Sequence, residues 1–255
     1  MDCLLIAGGI VGPEDPLYEL APDQPKTLIE VGGKPMGQWV VDALTGAEAV
    51  ERIVVLGLSA EHGLVSPKIV GHIPDQGALF LNALAGVEWL RAHHAALPRH
   101  VLSCCADIPL LTSAMVDELV ARCPDPAIDV YYSAVPRAAM ERRFPSSARS
   151  FIHLADADVA GGDVHIISPQ LADTHQELLT NMVQRRKSAV HLARKLGPAF
   201  LMKLAARRMS IAEAERKIAA KFNLQFRAVL TEHAEMAMDV DKPHQWELCD
   251  RELGR

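Results

Sequence analysis

The chain has 255 residues, of which 49% are apolar and 5% aromatic, and its formal net charge is −6. This length can bury a sizeable core, and we predict one domain over residues 1–255. The negative charge argues against a protein that neutralises nucleic-acid phosphates or anionic lipid surfaces. Five cysteines without a C-x-x-C pair indicate reduced thiols, and the sequence lacks an apolar run of the roughly 18 residues that a membrane span needs. We expect a cytoplasmic protein.

Along the first 135 residues, short apolar runs alternate with segments of helical periodicity. Four runs predict strands, at residues 3–7, 53–58, 101–105 and 128–135. The segments between them predict helices at residues 36–44, 78–94 and 113–122. Because the strand runs are continuously apolar, both of their faces should be covered, as in a parallel sheet with crossover helices. The alternation therefore predicts an α/β fold with a doubly wound sheet.

Beyond residue 150 the pattern changes. The segment "FIHLADADVAGGDVHIIS" predicts two strands that are joined by a turn at Gly161 and Gly162. Residues 169–222 predict a helical insert rich in Lys and Arg, which fits either a solvated helix pair or a surface that binds anions. Within this insert, Ser210 stands three residues before Glu213 and resembles a capping box that begins a helix.

The last part of the chain returns to strand-like runs. The segments "FRAVL" and "AMDVD" predict two short strands, and Pro243 favours the start of a final helix. In the second run, Asp239 and Asp241 alternate with apolar residues, so a strand would point both carboxylates to the same side.

The first predicted strand ends in Ala7, Gly8 and Gly9. Such a turn places backbone N–H groups at the carboxyl end of the strand, where open α/β sheets bind ligands. Glycine also lets a phosphate or a base approach the main chain closely. A Gly-Gly turn after a strand is more often only a turn than a ligand site, and the dinucleotide-binding pattern G-x-G-x-x-G is absent.

Two further segments carry charged residues at places suited to phosphate chemistry. In "PKTLIEVGGKPM", Lys26 follows a proline, and a lysine held there can act as a point charge on a triphosphate. In "VLSCCADIPLLT", an apolar strand delivers Asp107 at its carboxyl end, and Pro109 turns the chain. An alternative role for Asp107 is to cap the next helix, but Thr112 stands where that cap is needed.

A strand that ends in A-G-G, the P-K-x-L, G-x-K-P-M and D-x-P segments and the late aspartate pair together resemble the NTP-transferase (nucleotidyltransferase) superfamily, and in particular its MobA-like branch. The resemblance implies a GT-A-like fold, which is Rossmann-like with a mostly parallel mixed sheet. It implies transfer of an NMP group from an NTP to a small phosphorylated acceptor, with Mg²⁺ as cofactor and release of pyrophosphate. A homodimer is the assembly that we considered.

The resemblance also implies roles for individual residues. Lys26 and Asp107 would be catalytic, and Asp107 and Asp239 would hold the metal, while Asp241 would cap the last helix or replace Asp239. Nucleotide contacts are expected from Ala7, Gly8, Gly9, Lys26, Gly77 and Asn82. Acceptor contacts are expected from Gly162, Asp163, Arg186 and Lys187. Asn82 fits a helix-surface asparagine equally well.

The chain departs from the superfamily in one loop. Many members carry an arginine shortly after the glycines, in the pattern A-G-G-x-G-x-R, whereas residues 10–15 here read IVGPED. Losing one charge-stabilising donor from such a site costs on the order of 3 kcal/mol unless another group replaces it. Candidates for the replacement lie in the basic insert, at Arg185, Arg186, Lys187 and Arg194.

Two other functions fit parts of the sequence. A non-catalytic nucleotide- or sugar-nucleotide-binding module would keep the fold and account for the absent arginine. A phosphohydrolase would be built on the side chains of His153, Asp156, Asp158 and His165, although their spacing does not match a metal-binding pattern. The sequence leaves the base and the acceptor open.

Overall fold

A computed structural model of the chain describes residues 1–174 and 197–254. Its strands are β1 (Asp2–Ile6), β2 (Glu30–Val31), β3 (Lys34–Pro35), β4 (Arg52–Leu56), β5 (Ile69–Ile73), β6 (Val101–Cys105), β7 (Val130–Pro136), β8 (Ile152–His153), β9 (Asp158–Ile167) and β10 (Phe226–Leu230). Its helices are α1 (Met36–Gly46), α2 (Leu79–His93), α3 (Ser113–Ala121), α4 (Arg137–Arg143), α5 (Leu171–Thr174), α6 (Pro198–Ala205), α7 (Ile211–Phe222) and α8 (Pro243–Leu253).

Eight of these strands form one sheet, in the order β10-β7-β9-β6-β1-β4-β5, with β8 paired to β9. The pairs among β5, β4, β1 and β6 are parallel, as is the pair of β10 with β7. Strand β9 runs antiparallel to β6, β7 and β8. The predicted Rossmann-like, mostly parallel mixed sheet is therefore confirmed, and the carboxyl ends of β1, β4, β5 and β6 meet at one edge.

Helices cover both faces of the parallel strands. Leu5 and Val55 point to the face that packs against α1 and α3, and both are fully buried. Leu4 and Val54 point to the opposite face, where they pack with Leu90 of α2. Because alternate residues of one strand bury on opposite faces, the strands read as continuous apolar runs. Because these runs mark the strands clearly, the observed bounds of the four strands lie within two residues of the predicted ones.

The two glycines near residue 161 do not form a turn, which corrects the prediction. Gly161 and Gly162 lie inside β9, and the chain reverses at residues 154–157, where Leu154 N–H donates to Ala157 O (2.9 Å). Both glycines leave room for side chains of β7. A Cβ on Gly161 would stand 2.5 Å from Tyr132 Oη, and one on Gly162 would stand 2.2 Å from Ser133 Oγ.

The predicted strand at residues 237–241 is also absent. A 3₁₀ turn spans Ala234–Ala237, and the following residues run as a loop in which Val240 N–H donates to Asp107 O (2.9 Å). The apolar residues of this segment, Met236, Met238 and Val240, are fully buried. Their spacing imitates a strand, but Met238 and Val240 pack into the core that also holds α4 and α8, whereas Met236 packs into the core beneath α1 and α3.

The final helix begins at Pro243 as predicted. It fastens the β2–β3 hairpin to the body of the protein, because Asp250 Oδ1 accepts from Gly32 N–H (2.8 Å) and Trp246 Nε1 donates to Glu30 O (2.8 Å). The described parts of the predicted insert are helical in α5, α6 and α7. Ser210 caps α7 by accepting the N–H of Glu213 at 3.2 Å, as predicted. None of the helices in residues 1–174 and 197–254 has the length and apolar character that crossing a bilayer requires.

Candidate active site

The glycine turn at the end of β1 is closely packed against the end of β4. A Cβ on Gly8 would stand 3.2 Å from Gly57 Cα and 3.0 Å from Asn82 Nδ2. Gly9 has φ +110°, which L side chains rarely adopt. The turn therefore needs glycine at both positions, and it exposes main chain at the edge of the sheet where ligands bind in this class of fold.

The loop that follows this turn returns to it and positions Lys26. Lys26 N–H donates to Gly9 O (2.9 Å), and Thr27 Oγ1 donates to Ala7 O (2.8 Å) in a buried contact. A 3₁₀ turn over Lys26–Leu28 then leads into the β2–β3 hairpin. Two hydrogen bonds thus fix the backbone of Lys26 beside the glycines.

Lys26 links two carboxylates that are far apart in sequence. Its Nζ donates to Asp107 Oδ2 (2.7 Å) and to Asp241 Oδ1. Burial opposes the positive charge of Lys26, whose side chain is 18% exposed, but the two carboxylates outweigh burial and hold its pKa well above the usual value. Lys26 is therefore an ammonium ion at neutral pH, and Asp107 and Asp241 converge on it.

A second cation of the site is Arg149. Arg149 forms an ion pair with Asp239, and its Nη2 lies 3.5 Å from Gly161 O on β9. The charges of both cations and of the carboxylates beside Lys26 shift the pKa of Asp163, which lies two residues further along β9. Burial is the main cause that raises the pKa of Asp163 to about 7, and the charge of Asp107 adds to it, while Arg149 acts in the opposite direction.

The site is short of positive charge. Four carboxylates, those of Asp107, Asp163, Asp239 and Asp241, share two cations. Asp107 Oδ1 and Asp163 Oδ2 are buried and lack hydrogen-bond partners in the part of the chain that the structure describes. Buried carboxylate oxygens without partners are costly, so this arrangement favours a further cation or a ligand that donates hydrogen bonds.

Comparisons with known proteins identify the family of the chain. A family model for the MobA-like NTP transferase domain matches residues 22–197, which include Lys26, Asp107 and Asp163. The chain belongs to the MobA-like NTP transferase family. A search of curated proteins returned no match. The family supports nucleotidyltransferase-type activity. The matched range does not include Gly8, Gly9, Asp239 or Asp241.

Solved structures extend the likeness over the whole MobA-like chain. A hypothetical transferase from Thermus thermophilus shares 28% identity with a TM-score of 0.82, over 96% of this chain and 98% of that one. A 4-diphosphocytidyl-2C-methyl-D-erythritol synthase from Anaerococcus prevotii shares 10% identity with a TM-score of 0.58, over 100% and 98% of the two chains. A CMP:2-keto-3-deoxy-manno-octonic acid synthetase complexed with CTP shares 16% identity with a TM-score of 0.54, over 99% and 98%. The last two share the fold with this MobA-like protein.

The predicted nucleotide residues of α2 and the loop before it lie close to the glycine turn. Asn82 is only 3% exposed, so its interpretation as a surface residue is wrong. Its Nδ2 donates to Asp75 Oδ1 (2.8 Å), and its Oδ1 accepts from Gln76 N–H (2.7 Å). Asn82 therefore orders the loop that contains Gly77, which has φ +84°. Contacts of Asn82 and Gly77 with a nucleotide stay predictions.

The four side chains considered for a phosphohydrolase make local contacts and do not converge on one metal site. His165 stacks on Tyr132 with ring centroids 4.4 Å apart, and burial lowers its pKa to about 4. His153 pairs with Asp158 (2.8 Å), and Asp156 accepts the N–H at the start of α7. Residues 1–174 and 197–254 hold no group of three or more His, Cys, Asp or Glu side chains that could bind a metal. The structure gives this alternative no support.

Several predicted site residues lie outside the described part of the chain, and one observed site residue was not predicted. Arg186 and Lys187, predicted to bind the acceptor, lie outside the described residues, as do the other two cations of the insert, Arg185 and Arg194. Arg149 was missed, because no local pattern in the sequence marks it. The predicted helix cap at Asp241 is wrong, since Lys242 occupies the N-cap position of α8 and Asp241 contacts Lys26.

Proposed function

We propose that this protein transfers an NMP group from an NTP to a small phosphorylated acceptor, with release of pyrophosphate and with Mg²⁺ as cofactor. One observation carries the proposal: Asp107 and Asp241 meet at the ammonium group of Lys26, beside the glycine turn of β1. Family membership supports the reaction class, and the acceptor and the metal belong to the proposal.

The residues at the centre of the site fit Mg²⁺. This ion prefers oxygen ligands and, when nucleotide phosphates share it, needs only one or two protein carboxylates. Asp107 and Asp241 would supply them, and Asp107 Oδ1 is buried without a partner among the described residues. The sequence favoured Asp239 as the second ligand, which stays a prediction. We propose Asp241 instead, because it meets Asp107 at Lys26 Nζ, whereas Asp239 pairs with Arg149. Bound Mg²⁺ would offset the charge of the phosphates.

The protein's own groups mainly hold the reactants in place. Backbone N–H groups at Gly8 and Gly9 would bind the phosphates of the NTP, and Lys26 would offset the charge that develops as pyrophosphate leaves. A phosphate oxygen of the acceptor forms a bond to the α-phosphorus while the bond from that phosphorus to the bridging oxygen of pyrophosphate breaks. Positioning these groups in line accounts for most of the rate in such reactions.

Pyrophosphate release tests the proposal. The wild-type protein is mixed with each NTP, MgCl₂ and a panel of phosphorylated acceptors, and free pyrophosphate is measured. We expect release with at least one combination and a loss on the order of 100-fold or more in Asp107→Asn, since a charged ligand is removed. Asp42→Asn is the matched control, because Asp42 lies on the surface of α1 and pairs with Lys34 of β3.

Two results would contradict the proposal. If nucleotides raise the Tm of the wild-type protein and no acceptor yields pyrophosphate, the protein is the non-catalytic binding module of the same fold. If Asp107→Asn keeps full activity with the same metal requirement, Asp107 is not part of the mechanism.

A further inference from the structure

Arg149 is a largely buried cation whose hydrogen-bonding capacity is only partly used. Its side chain is 16% exposed, and its contacts are the ion pair with Asp239 and the long contact with Gly161 O. Its Nε is buried and has no partner among the residues described. A guanidinium carries five donors, and leaving one buried and unpaired is unfavourable. Arg149 therefore has a donor available for an anion.

The backbone that carries Arg149 is held in an unusual conformation. Ala148, the residue before it, has φ +50°, in the left-handed region that residues other than glycine rarely adopt. Such a conformation is strained and persists where the surroundings enforce it. Ser147 O accepts from His244 Nε2 (3.1 Å) and lies 3.5 Å from Gln245 Nε2, so α8 enforces the conformation of this loop.

The same helix fixes the aspartates. Gln245 is 2% exposed, and its Oε1 accepts the N–H of Asp241 (2.9 Å). The buried amide of Gln245 therefore contacts both the loop that carries Arg149 and the loop that carries Asp239 and Asp241. This link keeps the guanidinium in a fixed place relative to the carboxylates that are proposed to bind the metal.

The position of Arg149 in the sheet indicates which reactant it faces. Gly8, Gly9 and Lys26 form what we call the glycine side of the site, at the end of β1 and next to β4. Arg149, Asp163 and Asp239 form the arginine side, over β9 and beside β7. Strand β6, which delivers Asp107, lies between β1 and β9. A nucleotide on the glycine side leaves the arginine side to the second reactant.

We infer that Arg149 binds the phosphate group of the acceptor and so makes an anionic acceptor a requirement of this site. The inference rests on the proposed function, which places the nucleotide on the glycine side. A planar guanidinium matches a phosphate group with paired hydrogen bonds, and Asp239 holds it in place until the phosphate binds.

Inorganic phosphate serves as the probe for this site. Its binding is measured by calorimetry in the presence of Mg²⁺ and a saturating non-hydrolysable NTP analogue, so that the glycine side is already filled. We expect Arg149→Gln to weaken phosphate binding at least tenfold and Arg149→Lys to restore part of the affinity. Affinity for the NTP analogue should change less than twofold. Arg142→Gln is the matched control, because Arg142 is exposed and pairs with Glu232.

Each contrary result has a distinct meaning. If the wild type binds no phosphate under these conditions, or if Arg149→Gln binds it as tightly as the wild type does, the inference is overturned. If Arg149→Gln weakens the NTP analogue as much as it weakens phosphate, Arg149 belongs to the nucleotide site and the inference is again wrong. If the wild type binds no NTP analogue at all, the proposed function itself fails. A Tm within a few degrees of wild type shows that each variant is folded.

Discussion

The glycine side and the arginine side of the site differ in how they are assembled. On the glycine side, Gly8, Gly9 and Lys26 lie within 19 consecutive residues, and one backbone hydrogen bond joins Lys26 to Gly9. On the arginine side, Arg149, Asp163 and Asp239 come from three separate segments, and α8 contacts the two loops that carry Arg149 and Asp239. The first side is encoded locally, whereas the second exists only after the whole chain has folded.

Replacing Lys26 tests the glycine side and should have the largest effect. Lys26→Met removes the cation that is proposed to meet the triphosphate, so we expect pyrophosphate release to fall on the order of 100- to 1,000-fold. In the absence of nucleotide, Mn²⁺ measured by calorimetry should bind more tightly than to the wild type, because the ammonium group no longer lies between Asp107 and Asp241. Lys34→Met, a lysine whose Nζ lies 3.5 Å from the Trp39 ring centroid, is the control. Full turnover of Lys26→Met would separate this side from the chemistry.

The two late aspartates should differ sharply if the two sides have different roles. Asp241→Asn removes a proposed metal ligand, so the Mg²⁺ concentration for half-maximal activity should rise on the order of 10- to 100-fold. Asp239→Asn removes only the partner of Arg149, so we expect it to change the acceptor KM and to leave the metal requirement within about threefold. Both are measured by titrating MgCl₂ and acceptor in the pyrophosphate assay. The reverse ranking would restore Asp239 as the ligand.

Adding one methyl group to the glycine turn should produce a moderate effect. Gly8→Ala places a Cβ 3.0 Å from Asn82 Nδ2 and 3.2 Å from Gly57 Cα, and these neighbours have little room to move. We expect a loss of about 1–3 kcal/mol in the free energy of unfolding and about tenfold weaker nucleotide binding. Gly12→Ala is the control, because a Cβ there meets nothing within 4 Å. Equal stability and affinity of the two variants would show that the turn is not tightly packed.

The last prediction concerns the dependence of stability on pH at Asp163. Because its pKa is raised to about 7 in the folded protein from an ordinary value of 3.8, the folded state holds a proton that the unfolded state has lost. The free energy of unfolding should therefore decrease as pH rises from about 4 to 7, by at most about 1.4 kcal/mol per pH unit. Urea denaturation in EDTA should show that Asp163→Asn gains stability relative to the wild type between pH 5 and pH 7.5. A stability difference that does not change with pH would refute this.

The sequence was informative where local pattern determines structure. The parallel strands were located because burial on both faces makes them continuously apolar. Lys26 was singled out because it follows Pro25, and Asp107 because it ends an apolar strand run two residues before Pro109, while the family resemblance supplied their roles. It misled at residues 237–241, where apolar residues alternate as in a strand but all pack around a turn. Arg149 could not be found, since the direction of its side chain depends on the left-handed backbone of Ala148 and on the contacts of the preceding residues with α8. Such dependence on distant segments leaves no local trace.

Helix α8 contacts the β2–β3 hairpin, the loop before Arg149 and the turn before Asp241. A ribosome makes this helix after all the segments that it holds, so those segments stay untethered in a nascent chain until residues 243–253 have emerged. The order of synthesis thus leaves these segments untethered until α8 has been made, and a shortened chain that stops before residue 243 should lack the assembled site even where its sheet has formed.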